Sequence, residues 1–218
     1  MEKYYKFLIL FFFIAFGYWG IINHEIWLDE AHHYVLSRDS KTLRDLYFNN
    51  RYEGHPLLWN YLLWVLSKII PTVFAMQFLH LCLASISASI VLWHAPFKIH
   101  QKVLCCFSYF LFYEYAIISR NYAISILLIF LCLIQINKTR KNYNLILLLL
   151  SLLANTHLFS LIFSVAIFSY LLSSNNNRIE LFKQKKNYFF ILLYIAALLF
   201  ALSFAKVPSD HFLLNYNT

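Results

Sequence analysis

The stretch Thr72–Trp93 reads TVFAMQFLHLCLASISASIVLW and carries no charged side chain. As a helix it would rise about 33 Å, enough to cross the roughly 30 Å hydrocarbon core of a bilayer. An uncharged apolar run of this length predicts a transmembrane helix. Whether the fold is that of a membrane protein depends on how much of the chain shares this character.

The composition extends the same character to the whole chain. Of its 218 residues, 61% are hydrophobic, 20% are aromatic and 13% are charged, whereas a soluble domain carries about 25% charged residues. These values exclude a soluble enzyme, a disordered tail and a secreted disulfide scaffold. We therefore expect an all-α, polytopic transmembrane helical bundle, one domain over residues 1–218, with about seven membrane segments.

Neither the basic charge nor the cysteines indicate a function typical of a soluble protein. The formal net charge of +8 is interpreted as a topology signal, because cytoplasmic loops of membrane proteins are enriched in Lys and Arg. No basic cluster lies on a soluble face, so no nucleic-acid partner is expected. The cysteines lie in apolar runs without CxxC spacing and are interpreted as small buried hydrophobes: Cys82, Cys105, Cys106 and Cys132.

Other apolar runs supply the remaining spans. Phe7–Ile22 follows two lysines and precedes no small-residue cleavage site, which predicts an uncleaved first span with a cytoplasmic N-terminus. Further spans are predicted over Val103–Ser119, Tyr122–Ile136, the two halves of Leu145–Leu172, and Tyr188–Ala205.

Leu57–Ile70 is the ambiguous segment, because its 14 residues make a helix of only about 21 Å. If it spans, the basic loops at Lys98–Lys102, Lys138–Lys141 and Arg178–Lys186 all move outside the cell. The positive-inside rule disfavours that arrangement. We therefore predict an interfacial helix within a large outer loop, residues 24–71.

The same rule divides Leu145–Leu172, whose two flanks are both basic. The segment must cross an even number of times, and Asn155-Thr156-His157 is the expected break. This topology brings the unusual polar residues to one outer face: Asp29, Glu30, His32, His33, His55, Arg120, His157 and His211.

Asp29 and Glu30 follow the first span directly. A carboxylate at the edge of the low-dielectric phase can act as a general base. The alternative is a solvated loop whose acidic residues cap a helix. Asp29 and His33 are four residues apart, but so loose a spacing is weak evidence for a metal site.

His55 precedes Pro56, which fits the first turn of the interfacial helix. The backbone N–H groups of a helix N-terminus attract anions, so His55 is a candidate anion-binding residue. The alternative is an ordinary turn. His157, in the predicted hairpin, is either a functional group or a satisfied structural histidine.

Arg120 lies at the outer end of a predicted span that also contains Glu114. In a regular helix the two side chains would be about 9 Å apart along the axis and point about 120° apart. This spacing would leave Arg120 available for a phosphate. The alternative is an arginine that extends to the membrane surface.

Four segments follow one another along the chain: Trp27-Leu28-Asp29-Glu30-Ala31, Gly54-His55-Pro56-Leu57-Leu58-Trp59-Asn60-Tyr61, Arg120-Asn121-Tyr122 and Thr156-His157-Leu158-Phe159. Taken in order, these motifs resemble the N-terminal half of GT-C superfamily glycosyltransferases, near the bacterial protein O-mannosyltransferases and the lipid A aminoarabinose transferase. A second proline is common in the family where this chain has Leu57. Family members are usually longer, so the chain is expected to be truncated relative to them.

The resemblance implies an inverting transfer of a sugar from a polyprenyl-phosphate donor to an acceptor hydroxyl of a lipid, glycan or protein. It implies a bacterial inner membrane, with the active site outside and no metal or other cofactor. Asp29 would be the general base, and Glu30 would orient the acceptor or strengthen the base. Arg120 and His55 would stabilise the departing phosphate, and Tyr122 and His157 would line the cavity. The alternatives are a transporter or flippase of a lipid-linked sugar and an inactive membrane fragment.

Overall fold

The computed structural model describes residues 2–206, and among these residues it contains helices and no strand. His211 lies outside the described residues. The α-helices are α1 Glu2–Asn23, α2 Leu28–Asp39, α3 Leu43–Asn50, α4 Leu58–Ile69, α5 Val73–His94, α6 Ile99–Cys106, α7 Tyr122–Ile136, α8 Tyr143–Ala154, α9 Leu158–Ser173, α10 Asn175–Lys183 and α11 Lys185–Ser203, and a π-helix occupies Tyr109–Glu114.

Three of the described helices are long and apolar enough to cross a membrane. They are α1, α5 and α11, with mean hydropathies of 1.8, 1.8 and 1.7. Together α9 and α10 would make a fourth span, although the chain bends by 96° between them, while α7 and α8 are shorter apolar helices. The all-helical class is confirmed, and three of the described helices are candidate membrane spans. Seven spans are not confirmed.

The outer surfaces of α1 and α11 are strongly apolar. Phe11 and Trp19 of α1 are more than half exposed, as are Phe189 and Leu199 of α11. A soluble monomer rarely exposes large contiguous apolar patches. Side chains of this size on the outside of a helix suit contact with lipid.

Contacts between residues group the chain into two units. Within the described residues, the first comprises 2–39 and 62–130, and the second comprises 40–61 and 131–206. Each unit is described separately below. That the chain forms one membrane domain stays a prediction.

In the first unit α1 packs closely against α5. Phe13 and Ile21 of α1 are buried in the same core as Leu81 of α5. A Cβ atom added to Gly17 would lie 2.5 Å from Leu81 Cδ1, so a larger residue here would require the Leu81 side chain to move. Small residues allow such close packing between membrane helices.

The predicted span Val103–Ser119 is not a continuous α-helix, and this prediction is corrected. Helix α6 ends at Cys106, and a new segment begins where the Ser108 hydroxyl accepts the N–H of Leu111 at 3.2 Å. Serine at a helix start favours such capping over helix continuation. The Tyr115 N–H then donates to the Phe110 carbonyl at 2.8 Å, a five-residue π-helical bond, and turns follow to Ser119.

The second unit contains the predicted hairpin. Helix α8 ends at Ala154 and α9 begins at Leu158, so the break at Asn155-Thr156-His157 is confirmed. The Ser164 hydroxyl contacts the Leu150 carbonyl at 2.9 Å and the Tyr194 hydroxyl at 3.0 Å, which joins α8, α9 and α11. Whether each half of the hairpin crosses the membrane stays a prediction.

The segment predicted as an interfacial helix is the short helix α4. Its 12 residues correspond to about 18 Å, less than the bilayer core. Pro56 lies two residues before its first residue, Leu58, rather than within its first turn. The helix itself is confirmed, and its place at the membrane surface stays a prediction.

Candidate functional site

The first part of the candidate site is the N-terminal turn of α2, in the first unit. Trp27 precedes the helix, and its N–H donates to Glu30 Oε2 at 2.9 Å. A glutamate at the third helical position commonly satisfies the backbone in this way. Asp29 lies within the same turn, where the aligned peptide dipoles stabilise a carboxylate. Of the two acidic residues, Glu30 therefore caps the start of the helix, as one of the two interpretations of the sequence proposed.

Glu30 is completely buried, with 0% of its side chain exposed. Its Oε2 atom lies 2.7 Å from His24 Nε2, and its Oε1 atom accepts the Ser119 N–H at 2.6 Å. A buried carboxylate is retained only where such partners satisfy it. Glu30 thus holds α2 against the segment before Arg120, and its burial does not fit the expected contact with an acceptor.

Asp29 forms an ion pair with Arg120. The distance from Arg120 Nε to Asp29 Oδ2 is 2.8 Å, and the two side chains are 31% and 39% exposed. The second Asp29 oxygen, Oδ1, accepts the Glu30 N–H at 3.1 Å. The pair is thus at a water-accessible edge of the unit, beside the buried Glu30.

The expectation that Glu114 and Arg120 point apart is wrong. Arg120 Nη1 lies 3.8 Å from Glu114 Oε1. The expectation assumed a regular α-helix, whereas the chain here forms the π-helix and then turns. Arg120 therefore already has two carboxylate neighbours, of which Asp29 is the closer.

His80 was missed by sequence reasoning. It lies on α5 with no exposed surface. Its Nε2 atom is 3.0 Å from the backbone carbonyl oxygen of Arg120 and 3.2 Å from the backbone nitrogen of the same residue. Gln77, nearly one turn earlier, donates to the Ile21 carbonyl at 3.1 Å. The available signal was two polar residues three apart in the otherwise apolar stretch 73–84, since polar groups inside a span need partners.

Tyr122 completes this part of the site. The Arg120 Cζ atom lies 5.0 Å from the centroid of the Tyr122 ring, within the range of a cation–π contact. The Tyr122 ring in turn lies 6.1 Å from that of Tyr115. The first unit therefore gathers four of the six predicted site residues: Asp29, Glu30, Arg120 and Tyr122.

The other two predicted residues, His55 and His157, meet in the second unit. Their rings stack with centroids 4.7 Å apart. Gly54 has a φ of +67°, a conformation that favours glycine, and it turns the chain before His55. The Leu58 N–H donates to the Asn155 carbonyl at 3.0 Å, which joins the start of α4 to the hairpin break.

The two histidines have different local roles. His157 Nδ1 accepts the Phe159 N–H at 3.2 Å and so caps α9, which supports the structural alternative for this residue. The carbonyl of His55 accepts from Asn50 Nδ2 at 2.7 Å. The sequence placed both residues on the outer face and did not predict this contact between their rings.

The second unit also contains an apolar cavity of about 440 Å³. It lies between the start of α4, α8 and α11, and Tyr61, Asn155 and Phe200 are among its lining residues. In the described part of the chain, no charged residue lines it, and neither predicted cavity-lining residue, Tyr122 nor His157, borders it. Its chemistry suits hydrocarbon.

No group of three or more His, Cys, Asp and Glu side chains within residues 2–206 is placed to hold a metal ion. Metal independence stays a prediction. In comparisons with known proteins, no family model, no curated protein and no solved structure matches the chain. The GT-C resemblance therefore depends on the four short motifs alone.

Proposed function

We propose that the chain is a membrane glycosyltransferase of the GT-C kind, which uses a sugar on a polyprenyl phosphate as donor. The observation that carries the proposal is the 2.8 Å contact between Asp29 and Arg120. The reaction needs a base for the acceptor and a cation for the leaving phosphate. A carboxylate and a guanidinium from distant parts of the sequence meet here at a partly exposed edge.

In the proposed reaction the acceptor hydroxyl oxygen attacks the anomeric carbon of the donor sugar, on the face opposite the phosphate. The new carbon–oxygen bond forms as the bond from that carbon to the phosphate oxygen breaks. The acceptor proton passes to Asp29, and the phosphate leaves with the bonding electron pair. Arg120 stabilises the phosphate by charge-assisted hydrogen bonds.

The surroundings support this division of roles. Glu30 and His80 contact the backbone of Ser119 and Arg120 within a buried setting. Catalytic groups need to be held to within a fraction of an ångström, and a buried second layer of contacts does this best. Glu30 is proposed as a positioning residue.

The finer topology belongs to the same proposal. The chain would cross the bacterial inner membrane about seven times, with its N-terminus in the cytoplasm and α2 to α4 outside. The acceptor would be a lipid, glycan or protein hydroxyl. The roles that the resemblance implies for His55 and His157 stay predictions, and no cofactor or metal is required.

The test is sugar transfer by the full chain in lipid nanodiscs. A panel of radiolabelled polyprenyl-phosphate-linked hexoses and pentoses is supplied together with an extract of envelope lipids and glycans. We expect label to move into an acceptor, with release of polyprenyl phosphate. If label enters sealed vesicles without any transfer, the transporter alternative replaces this proposal.

A further inference from the structure

The contacts around Arg120 fall into two classes that differ in exposure. Its backbone is held by His80, and the neighbouring Ser119 by Glu30, and both of these partners are completely buried. The Arg120 guanidinium and the Asp29 carboxylate are instead about one third exposed. The backbone is therefore fixed, while the side-chain ion pair is open to competition from solvent and ligands.

We infer that Arg120 and Asp29 form a latch that the donor phosphate opens. In the resting state Arg120 binds Asp29 and occupies its carboxylate. When a phosphate monoester or diester binds Arg120, it replaces Asp29 as the partner of the guanidinium. Asp29 is thereby released to take the acceptor proton. This inference rests on the proposed function and adds an order of events to it: donor first, acceptor activation second.

The energies favour such an exchange. A partly exposed ion pair contributes little net free energy, so a ligand can displace it. A phosphate presents several anionic oxygens to the guanidinium fork and binds it bidentately. The ion pair with Asp29 uses the Nε atom of Arg120. The contact between Arg120 Nη1 and Glu114 Oε1 is long, at 3.8 Å.

Release would not leave Asp29 without support. Its Oδ1 atom accepts the Glu30 N–H at 3.1 Å, within the N-terminal turn of α2. The helix dipole stabilises the carboxylate there after Arg120 departs. Because α2 is itself held by Glu30, the carboxylate stays in place while only the arginine side chain changes partner.

The latch predicts a gain of binding in a variant that loses catalysis. Asp29→Asn removes the competing charge, so binding of geranyl phosphate to the full chain in nanodiscs should tighten by about fivefold. Glu114→Gln, which removes the more distant carboxylate, should tighten it less. Arg120→Ala should weaken binding at least tenfold. Glu25→Gln, an exposed acid on the same loop, should change nothing.

Three probes separate the phosphate from the hydrocarbon chain. Geranyl phosphate and inorganic phosphate should both bind Asp29→Asn more tightly than the original chain, whereas geraniol should bind the two equally. Unchanged or weaker phosphate binding in Asp29→Asn would overturn the inference, as would an equal gain for geraniol. Thermal unfolding of each variant verifies folding, and Glu114→Gln carries the test if Asp29→Asn does not fold.

The outcomes also separate the latch from the proposed function. If the nanodisc assay shows sugar transfer but Asp29→Asn brings no gain in phosphate binding, the latch is wrong and the enzyme stands. If no sugar donor is used but the gain is present, the latch stands as an anion-controlled ion pair and the glycosyltransferase proposal fails.

Discussion

The buried carboxylate of Glu30 accepts the backbone N–H of Ser119 at 2.6 Å, across 89 positions of sequence. This single bond joins the first turn of α2 to the segment that carries Arg120. It implies that the geometry of the candidate site depends on a residue that meets neither solvent nor substrate.

Glu30→Ala should therefore destabilise the fold and disorder the site. Removing one member of a buried hydrogen-bonded charge network costs about 3 kcal/mol or more. Glu30→Gln, which keeps one acceptor oxygen, should cost about 1–3 kcal/mol. Thermal unfolding in detergent measures both, with Glu25→Gln as the matched surface control. Equal stability of Glu30→Ala and the original chain would show that this contact is unimportant.

His80→Phe tests the positioning of the Arg120 backbone. The ring size is nearly kept, but the contacts to the Arg120 backbone are lost, so we expect the turnover rate to fall by roughly ten- to a hundredfold. Gln77→Leu is the control, because Gln77 bonds the Ile21 carbonyl of α1 instead of Arg120. A purely structural role for His80 predicts that both variants lose stability and activity in parallel.

Gly17→Val tests the close approach of α1 and α5. The added side chain would collide with Leu81, and overpacking of this kind costs about 1–3 kcal/mol. Adding Leu81→Ala should recover part of the lost unfolding free energy, because it makes space at the same place. Ile22→Val, an exposed substitution on the same helix, should have almost no effect. If the losses of unfolding free energy from the two substitutions simply add in the double variant, the close contact between Gly17 and Leu81 is contradicted.

The proposed topology is tested by labelling single cysteines in intact cells, in a chain whose native cysteines are replaced. Cysteines introduced for His100, Arg140 and Lys185 should resist a membrane-impermeant thiol reagent, because the basic segments predicted as loops are proposed to be cytoplasmic. In the structure His100 lies in α6 and Lys185 begins α11. A cysteine introduced for Glu25 should react, since it is exposed and belongs to the proposed outer loop. Strong labelling of the three basic-loop positions would show that α4 crosses the membrane.

Local signals in the sequence were sufficient for several elements. The break at Asn155-Thr156-His157 was predicted because both flanks of the apolar stretch Leu145–Leu172 are basic. The structure adds that His157 caps the helix after the break. The length of the run around Thr72–Trp93 predicted α5. These features depend on residues close in sequence, where capping and hydropathy are informative.

The remaining features depend on distant partners. The burial of Glu30 follows from Ser119, and the role of His80 follows from Arg120, so neither could be obtained from spacing alone. The predicted helix over Val103–Ser119 was wrong because Ser108 starts a new segment within the apolar run. The predicted topology placed Asp29 and Arg120 on one outer face, and in the structure their side chains lie 2.8 Å apart. That the two residues form a catalytic site stays a prediction.

The most direct measurement is the rate of labelled sugar transfer from a polyprenyl-phosphate donor by the full chain and by Asp29→Asn, at saturating donor. The account predicts transfer by the original chain and a loss of at least a hundredfold in the variant, because a general base contributes about 10²–10⁴-fold. The folded state of the variant is verified by thermal unfolding. Transfer that survives Asp29→Asn at an undiminished rate would contradict the assignment of Asp29 as the base.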